Sequence, residues 1–323
     1  MKKIIVTLIA LVTLSTLSFS SAYAQTDATI ILSPKNPEPK SFVTLEIESY
    51  SFNVNTATIT WEIGGKVILQ GQGETILKLR TGNVGESSVV TVTSDTAGGL
   101  QVKQSITITP SSVVLLYEAP KSYVPLLYEG RSLPSTGASV RVSALPSISD
   151  SGVLLSPSNL SYSWYVNDSF VKSISGKGKQ SATIELDYLK NSTDIKVLIQ
   201  SPLGNRGEKT ITIYPHPVMP ILYKYDSILG TNFTQAIERR FEAVSDFTLS
   251  LEPFYVSNED NKPATYTWYL DGLPATPAGG RILGLAPKAN SYGSKLLKIT
   301  VLGSNKRLQK SELTTELIFD TRK

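Results

Sequence analysis

The sequence predicts an all-β protein of three tandem β-sandwich domains that follow an N-terminal signal peptide. Three observations predict this fold class: a tryptophan motif recurs at even spacing, alternating β-type segments surround each copy, and helical patterns are almost absent. A chain of 323 residues is long enough for two or three domains that each bury their own core.

Residues 1–24 have the pattern of a secretory signal peptide. Lys2 and Lys3 precede an uncharged, mostly apolar run, and Ala-Tyr-Ala at residues 22–24 matches the A-x-A cleavage pattern. The alternative is an uncleaved membrane anchor, but polar residues interrupt the apolar run, and a spanning helix needs about 20 apolar residues. We expect cleavage before Gln25, no membrane insertion afterwards, and an exported chain that is extracellular, at the cell surface or periplasmic.

The charge and cysteine content exclude several classes of function. Without the signal peptide the chain has 29 basic and 27 acidic residues, which gives no electrostatic reason to bind nucleic acid or a membrane surface. The sequence contains no cysteine, so disulfides and thiol chemistry are excluded. We expect no cofactor, and the domains must be stabilised by apolar burial alone.

The three tryptophans mark three copies of one unit. Trp61, Trp164 and Trp268 lie in TITWEIGG, SYSWYVND and TYTWYLDG, at intervals of 103 and 104 residues. A glycine pair follows each tryptophan after about ten residues, and two alternating strands around a turn follow later, which is typical of a hairpin. Each unit of roughly 100 residues therefore has the pattern of a seven-stranded Greek-key sandwich.

The predicted strands occur in the same order in each copy. The strand before the tryptophan is FVTLEIESY, ASVRVSAL or DFTLSLEPF. The two strands after it are SVVTVTS with QSITITP, DIKVLIQ with KTITIYP, and LLKITVLG with ELTTELIF. One further segment, QAIERRFEAV at residues 235–244, fits a helix or a strand equally well.

Prolines mark the predicted domain boundaries. After the signal peptide at 1–24, we expect domain one at 25–110, domain two at 111–215 and domain three at 216–323. Residues before proline favour extended conformations, so the linkers near Pro110 and Pro215 are expected to be short and stiff. Such linkers would hold the three domains as an extended, semi-rigid array.

Alternation along the tryptophan strands separates a core face from an outer face. Each tryptophan has apolar or aromatic residues two positions away on both sides, which favours a place in the core over the alternative, an exposed platform for stacking on sugars. Tyr165 and Tyr269 fall on the opposite, outward face. These two tyrosines are the candidate ligand-binding surface.

The repeats resemble the PKD-like and immunoglobulin-like repeats of bacterial exported and surface proteins. The resemblance depends on the Y-x-W-Y-[apolar]-[Asp/Asn/Gly] strand, the glycine pair, the two C-terminal strands and the opening SPKNPEPKSFVTLEI, and it covers nearly all of the mature chain. It implies an immunoglobulin-like β-sandwich fold. Typical PKD units carry an acidic-glycine turn of the W-D-F-G-D-G kind that is missing here, which weakens the case for bound calcium.

Few residues indicate catalysis. His216 is the only histidine and lies between two prolines in a predicted linker. Glu259 and Asp260 form the densest acidic pair, and a solvated turn explains them better than a hydrolase or calcium site. LPSTG at residues 133–137 matches a sortase motif, but it lies mid-chain before a predicted strand, so we interpret it as a coincidence in a loop.

These observations predict an exported, non-catalytic binding or spacer protein of the bacterial cell envelope that mediates adhesion to a protein or a surface. The alternative is a carbohydrate-binding accessory module that uses Tyr165 and Tyr269, and a hydrolase with a carboxylate site is a third hypothesis. The expected partner is an envelope protein or a glycan whose identity the sequence does not specify.

Overall fold

A computed structural model of the protein describes residues 28–126, 128–243, 245–258, 263–275, 280–303 and 309–322. The predicted signal peptide lies outside these residues. Within them the regular structure consists of strands and three single-turn 3-10 helices, with no α-helix. The chain forms two compact units: one extends to Thr109 without residues 83–86, and the other comprises residues 83–86 and everything from Pro110 onward.

The first unit is a two-sheet sandwich. Its strands are β1 (Ala28–Ser33), β2 (Phe42–Ser49), β3 (Thr58–Ile63), β4 (Lys66–Gln72), β5 (Ile76–Arg80), β6 (Ser88–Asp95) and β7 (Gln101–Ile108). The sheet orders are β1-β2-β5 and β4-β3-β6-β7, and every pairing is antiparallel. Val43, Leu45 and Ile47 alternate along β2 and are buried in the cluster that contains Trp61.

The second unit begins with another sandwich, which we call the middle sandwich. Its strands are β8 (Ser112–Glu118), β9 (Ser139–Ser147), β10 (Ser149–Asp150), β11 (Val153–Leu154), β12 (Ser161–Val166), β13 (Ser169–Phe170), β14 (Gly176–Lys177), β15 (Ser181–Glu185), β16 (Thr193–Gln200) and β17 (Arg206–Ile213). One sheet has the order β15-β9-β8; the other is β13-β12-β16-β17, and β14 also pairs with β12. Its core surrounds Trp164 and Tyr162.

The second unit ends with a sandwich that we call the C-terminal sandwich. Its strands are β18 (Met219–Asp226), β19 (Gly230–Ile237), β20 (Arg240–Ala243), β21 (Phe247–Phe254), β22 (Thr265–Leu270), β23 (Leu273–Ala275), β24 (Ile282–Leu285), β25 (Tyr292–Leu302) and β26 (Lys310–Asp320). The sheet orders are β19-β18-β21-β24 and β20-β26-β25-β22-β23. Trp268, Leu249 and Leu251 belong to its core.

The segment that fitted a helix or a strand from sequence is extended in its described part. It supplies the end of β19 and the whole of β20, which pairs in parallel with β26. Phe241 and Ala243 are buried, whereas Arg240 and Glu242 are exposed. This period of two suits a strand over a core, so the helical alternative is wrong.

The predicted fold class is confirmed: the chain folds as immunoglobulin-like β-sandwiches. The strand pairs predicted as hairpins, β6 with β7, β16 with β17 and β25 with β26, are antiparallel neighbours. In the part of the chain that the structure describes, each tryptophan belongs to a different apolar cluster. The number of three domains and the boundaries at residues 110 and 215 stay predictions.

Candidate functional site

All three repeat tryptophans lie in sandwich cores. Trp61 and Trp164 are 0% exposed and Trp268 is 1% exposed, so their prediction as core residues is confirmed. Each indole N–H donates to a backbone carbonyl 12 to 15 residues later. The acceptors are Glu74, Lys179 and Gly280, at 2.8, 2.9 and 2.9 Å respectively. These rings are satisfied structural groups and offer no face to a ligand.

The two candidate tyrosines lie on strands of different sandwiches, and the structure does not bring them into one site. Both side chains are half-buried. Tyr165 packs against Phe170 with ring centroids 5.6 Å apart. Tyr269 stands opposite Pro274 and Lys298 in its sheet. A ligand-binding role for Tyr165 and Tyr269 stays a prediction.

A long connection between β8 and β9 leaves the middle sandwich and pairs with the C-terminal one. We call residues 119–126 and 128–138 of this connection the crossing segment. The Tyr123 N–H donates to the Val256 carbonyl, and the Tyr255 N–H donates to the Tyr123 carbonyl, both at 2.7 Å. The Asn258 N–H donates to the Lys121 carbonyl at 2.8 Å. The crossing segment is therefore fixed by backbone bonds of the kind that join strands.

The later part of the crossing segment contains LPSTG, and it too is bonded to the C-terminal sandwich. The Gln309 amide donates to the Thr136 carbonyl at 2.9 Å, and the His216 N–H donates to the Pro134 carbonyl at 2.7 Å. Pro134 and Ser135 are buried. The interpretation of LPSTG as a loop is confirmed, and within it Leu133, Thr136 and Gly137 are half-buried.

Tyr123 joins the crossing segment to an ion pair between the buried Glu252 and the half-buried Arg281. Its hydroxyl donates to the Glu252 carboxylate and accepts from the Arg281 guanidinium, which also lies 3.2 Å from a Glu252 oxygen. The Arg281 guanidinium carbon lies 4.7 Å from the centre of the Tyr123 ring. The Glu252 side chain is only 5% exposed, so these partners replace the water that would otherwise solvate its carboxylate.

The pKa of Tyr123 reflects this setting. Burial, followed by the hydrogen bond to the Glu252 carboxylate, raises the pKa of Tyr123 to about 12. A proton is therefore retained on the phenol throughout the neutral range, and the hydroxyl remains a donor to Glu252. The second oxygen of Glu252 accepts from the Ser250 hydroxyl at 3.1 Å.

Next to this polar cluster, the crossing segment borders a cavity of about 620 Å³, which we call the aromatic groove. Its lining comprises Pro125, Leu126, Tyr128, Glu129, Gly130, Tyr223, Phe233 and Phe254. Tyr223 meets Phe233 edge to face at 5.2 Å between ring centroids, and Tyr128 meets Phe254 likewise at 5.5 Å. Tyr128 and Phe233 remain 39% and 48% exposed, so both rings are accessible from solvent.

Gly130 allows the Tyr128 ring to lie where it does. A side-chain Cβ at residue 130 would stand 2.4 Å from the outer carbon of that ring, closer than any real contact. The Tyr128 hydroxyl is 3.2 Å from that of Tyr255. This hydrogen bond, followed by burial, raises the pKa of Tyr255 to about 12. The aromatic groove is thus held by specific contacts on both of its sides.

A second cavity of about 420 Å³, the polar pocket, lies on the same sheet. Its lining comprises Tyr225, Thr231, Ser250, Glu252, Gly280, Arg281 and Ile282. Strands β18, β19 and β21 each contribute residues to both cavities, and on each strand a polar-pocket residue lies two positions from an aromatic-groove residue. The pairs are Tyr225 with Tyr223, Thr231 with Phe233, and Glu252 with Phe254. Residues two apart share one face of a sheet and are neighbours on it, so the two cavities lie side by side.

Sequence reasoning did not single out these residues. One signal was available: the crossing segment is a stretch of about twenty residues without strand pattern inside a sandwich, and long connections of this kind are often functional. It also carries two tyrosines, Tyr123 and Tyr128. Its partners Glu252, Phe254 and Arg281 have no local signature that distinguishes them from ordinary strand and turn residues.

The residues considered for catalysis do not assemble into a site in the described part of the chain. His216 is half-buried, with its ring centre 6.1 Å from that of Tyr255, and Glu259 and Asp260 lie outside the described residues. No three His, Cys, Asp or Glu side chains that the structure describes are grouped so that they could hold a metal ion. The same residues include no helix with the length and apolarity needed to cross a membrane.

Comparison with known proteins gives likenesses of fold. No protein-family model matches the chain. No curated protein matches it either. Among solved structures, fibronectin(III)-like modules of Clostridium thermocellum CbhA are similar at 14% identity and a TM-score of 0.30, over 58% of this chain and 94% of that one.

Two further solved structures cover more of the chain. The central fibronectin-III array of RIM-binding protein is similar at 12% identity and a TM-score of 0.30, over 90% of this chain and 95% of that one. The chain is also similar to SGBP-B of the Bacteroides ovatus mixed-linkage glucan utilization locus, solved in complex with a mixed-linkage heptasaccharide. The identity is 11% and the TM-score 0.22, over 91% of this chain and 70% of that one. At these TM-scores the neighbours assign no function to this chain.

Proposed function

We propose that the protein is an exported, non-catalytic binding protein of the bacterial cell envelope, built from three PKD-like domains, which mediates adhesion to a protein or a surface. The observation that carries this proposal is the aromatic groove. Partly exposed rings lining a cavity of ligand size are the usual composition of a binding site, in which apolar faces supply affinity and a few polar groups supply orientation.

The location of the groove also supports a binding role. It forms where the crossing segment pairs with the C-terminal sandwich, so its two sides come from elements that are fixed by backbone hydrogen bonds. A site held in this way loses little conformational entropy when a ligand binds. The signal-peptide pattern of residues 1–24 supports export, and a mature N-terminus at Gln25, found by sequencing the exported protein, would test it. The proline-marked linkers support an additional role as a spacer.

Binding to isolated cell envelopes of the source bacterium tests the proposal. Labelled residues 25–323 should sediment with envelopes in a saturable manner. The double substitution Tyr128→Ala with Phe233→Ala should abolish this, because it removes one exposed ring from each side of the groove. Tyr50→Ala, which removes a 96% exposed ring from the first unit, is the matched control and should bind like wild type. Absence of saturable binding, or unchanged binding of the double variant, would contradict the proposal.

A carbohydrate-binding module that uses Tyr165 and Tyr269 remains the second candidate. One observation favours it: Phe170, which packs against Tyr165, is 53% exposed, so the two rings form a small aromatic surface on β12 and β13. In the same sedimentation experiment, Tyr165→Ala with Tyr269→Ala would abolish binding if this surface were the site, and Tyr128→Ala with Phe233→Ala would not.

A further inference from the structure

The aromatic groove and the polar pocket together have the composition of one elongated site. The groove offers the rings of Tyr128, Tyr223, Phe233 and Phe254. The pocket offers the hydroxyl oxygen of Thr231 beside the ion pair of Glu252 and Arg281, and the buried Ser250 hydroxyl accepts from Thr231 and donates to Glu252. A ligand that extends over both cavities must therefore have apolar surface at one end and many hydrogen-bonding groups at the other. Alternatively, it must have both apolar surface and hydrogen-bonding groups along its whole length.

The charges of the lining restrict the occupant further. The two cavities are lined by two carboxylates, Glu129 and Glu252, and by one guanidinium, Arg281. Glu252 and Arg281 neutralise each other, so the described lining residues leave no unpaired positive charge for a phosphate, sulfate or uronic acid. A polyanion would meet repulsion here, whereas a neutral ligand rich in hydroxyls would find fixed donors and acceptors.

The cavity sizes favour a small or chain-like ligand over a protein surface. About 620 and 420 Å³ both fall in the range of ligand pockets, roughly 300–1,000 Å³. Pyranose rings combine C–H faces, which stack on aromatic rings, with a rim of hydroxyls that form hydrogen bonds. Successive sugars along a chain repeat this combination, as the two neighbouring cavities require.

We propose that the aromatic groove and the polar pocket bind a neutral glycan chain, with sugar rings stacked on Phe233 and Tyr128 and with sugar hydroxyls that donate to the Thr231 hydroxyl oxygen and accept from the Arg281 guanidinium. This inference rests on the proposed function and names its ligand class. It differs from the candidate based on Tyr165 and Tyr269 in location, because the site belongs to the crossing segment and the C-terminal sandwich.

Native affinity electrophoresis of residues 25–323 in gels that contain a single polysaccharide tests the inference. The neutral probes are soluble starch, galactomannan, xyloglucan and hydroxyethylcellulose, and alginate is the anionic control. At least one neutral probe should retard the wild-type protein, equally at low and high salt, since no net charge attraction is involved. Phe233→Ala and Tyr128→Ala should each weaken retardation about tenfold, as expected when one aromatic anchor is lost. Tyr165→Ala should have no effect.

The envelope experiment separates failure of the inference from failure of the proposed function. Periodate, which cleaves sugars at vicinal hydroxyls, should abolish envelope binding, and digestion of the envelopes with proteinase should not. Binding that survives periodate and disappears after proteinase would overturn the glycan inference while the binding function stands. Retardation by alginate alone, by no probe, or equally in the Phe233→Ala variant would also overturn it.

Discussion

The indole N–H of Trp268 donates to the backbone carbonyl of Gly280 at 2.9 Å. The same bond joins Trp61 to Glu74 and Trp164 to Lys179. The strand that carries each tryptophan is thereby attached to the segment of its glycine pair. The acceptor residue directly follows this pair in the first two repeats and is its second glycine in the third. Trp therefore does two things in each repeat: it fills the centre of the core, and it satisfies a carbonyl at the edge of that core.

These two contributions of Trp268 predict a graded series of variants. Trp268→Ala should lower the free energy of unfolding of the C-terminal sandwich by about 3–5 kcal/mol, the usual cost of removing a large core side chain. Trp268→Phe keeps most of the apolar volume but leaves the Gly280 carbonyl without its donor, and should cost about 1–3 kcal/mol. Denaturant unfolding of residues 25–323 measures both values.

The control for this series is Tyr292→Ala. Tyr292 lies in the same sheet as Trp268 and is 71% exposed, so its loss should change the free energy of unfolding by less than about 0.5 kcal/mol. A Trp268→Phe variant as stable as wild type would show that the indole hydrogen bond contributes nothing beyond packing, and equal effects of the two substitutions would contradict the graded series.

Tyr123→Phe should destabilise the C-terminal sandwich by about 1–2 kcal/mol. It keeps the ring that packs near Arg281 but removes the hydroxyl that donates to the buried Glu252 carboxylate. The lost bond is to a charged group, which makes it stronger than an average hydrogen bond. Tyr50→Phe, at an exposed position in the first unit, should have no effect in the same unfolding experiment.

Alkaline pH should destabilise the second unit in a window set by two tyrosines. The pKa values of Tyr123 and Tyr255 are raised to about 12 from the ordinary value of 10. Because the folded protein holds these protons more tightly than the unfolded chain, the stability they contribute is complete below pH 10 and is lost as the pH rises through 12. The ultraviolet absorbance of tyrosinate during titration should show Tyr123 and Tyr255 among the phenols that ionise late, together with Tyr162, Tyr223 and Tyr266, whose pKa values burial also raises.

Two substitutions assign Tyr123 and Tyr255 among these late phenols. Tyr123→Phe should remove one late step. Tyr128→Phe should move the late step of Tyr255 towards the ordinary pKa, because the hydrogen bond between the hydroxyls of Tyr128 and Tyr255 is the main cause of the raised pKa of Tyr255. If Tyr123→Phe and Tyr128→Phe each removed only a phenol of ordinary pKa and left the late part of the titration unchanged, neither contact would persist in solution.

The crossing segment makes the C-terminal sandwich dependent on residues that precede the predicted boundary at 215. A fragment of residues 216–323 lacks Tyr123 and the backbone partners of Tyr255 and Val256. It should unfold at a lower denaturant concentration than the same sandwich in a fragment of residues 111–323, and its amides at Tyr255 and Asn258 should exchange faster with solvent. Identical stability of the two fragments would show that the crossing segment contributes little.

The repeat and the sandwich fold follow from the sequence alone. Alternation of apolar residues decides which face of a strand is buried, and the same alternation is required wherever a strand covers a core. Strands β2, β9 and β21 therefore occur where FVTLEIESY, ASVRVSAL and DFTLSLEPF predict them. The place of Trp61, Trp164 and Trp268 in the cores follows from the same local pattern. Alternation fails only where it is short, as at residues 235–243, where helix and strand periods were both compatible with the sequence.

The candidate site was decided by the tertiary structure. Tyr123 and Glu252 are 129 positions apart in the chain, and the contact between them depends on how a connection of one sandwich packs on the outer face of another. Neither residue has a local sequence signature, because a tyrosine in a loop and a glutamate in a strand are common and their neighbours in the sequence do not indicate a site. The periodicity of a sequence indicates which residues of one strand are buried. The groove and the pocket result from contacts between strands and the crossing segment, and these contacts depend on the shapes and hydrogen-bond partners of side chains that are distant in the sequence.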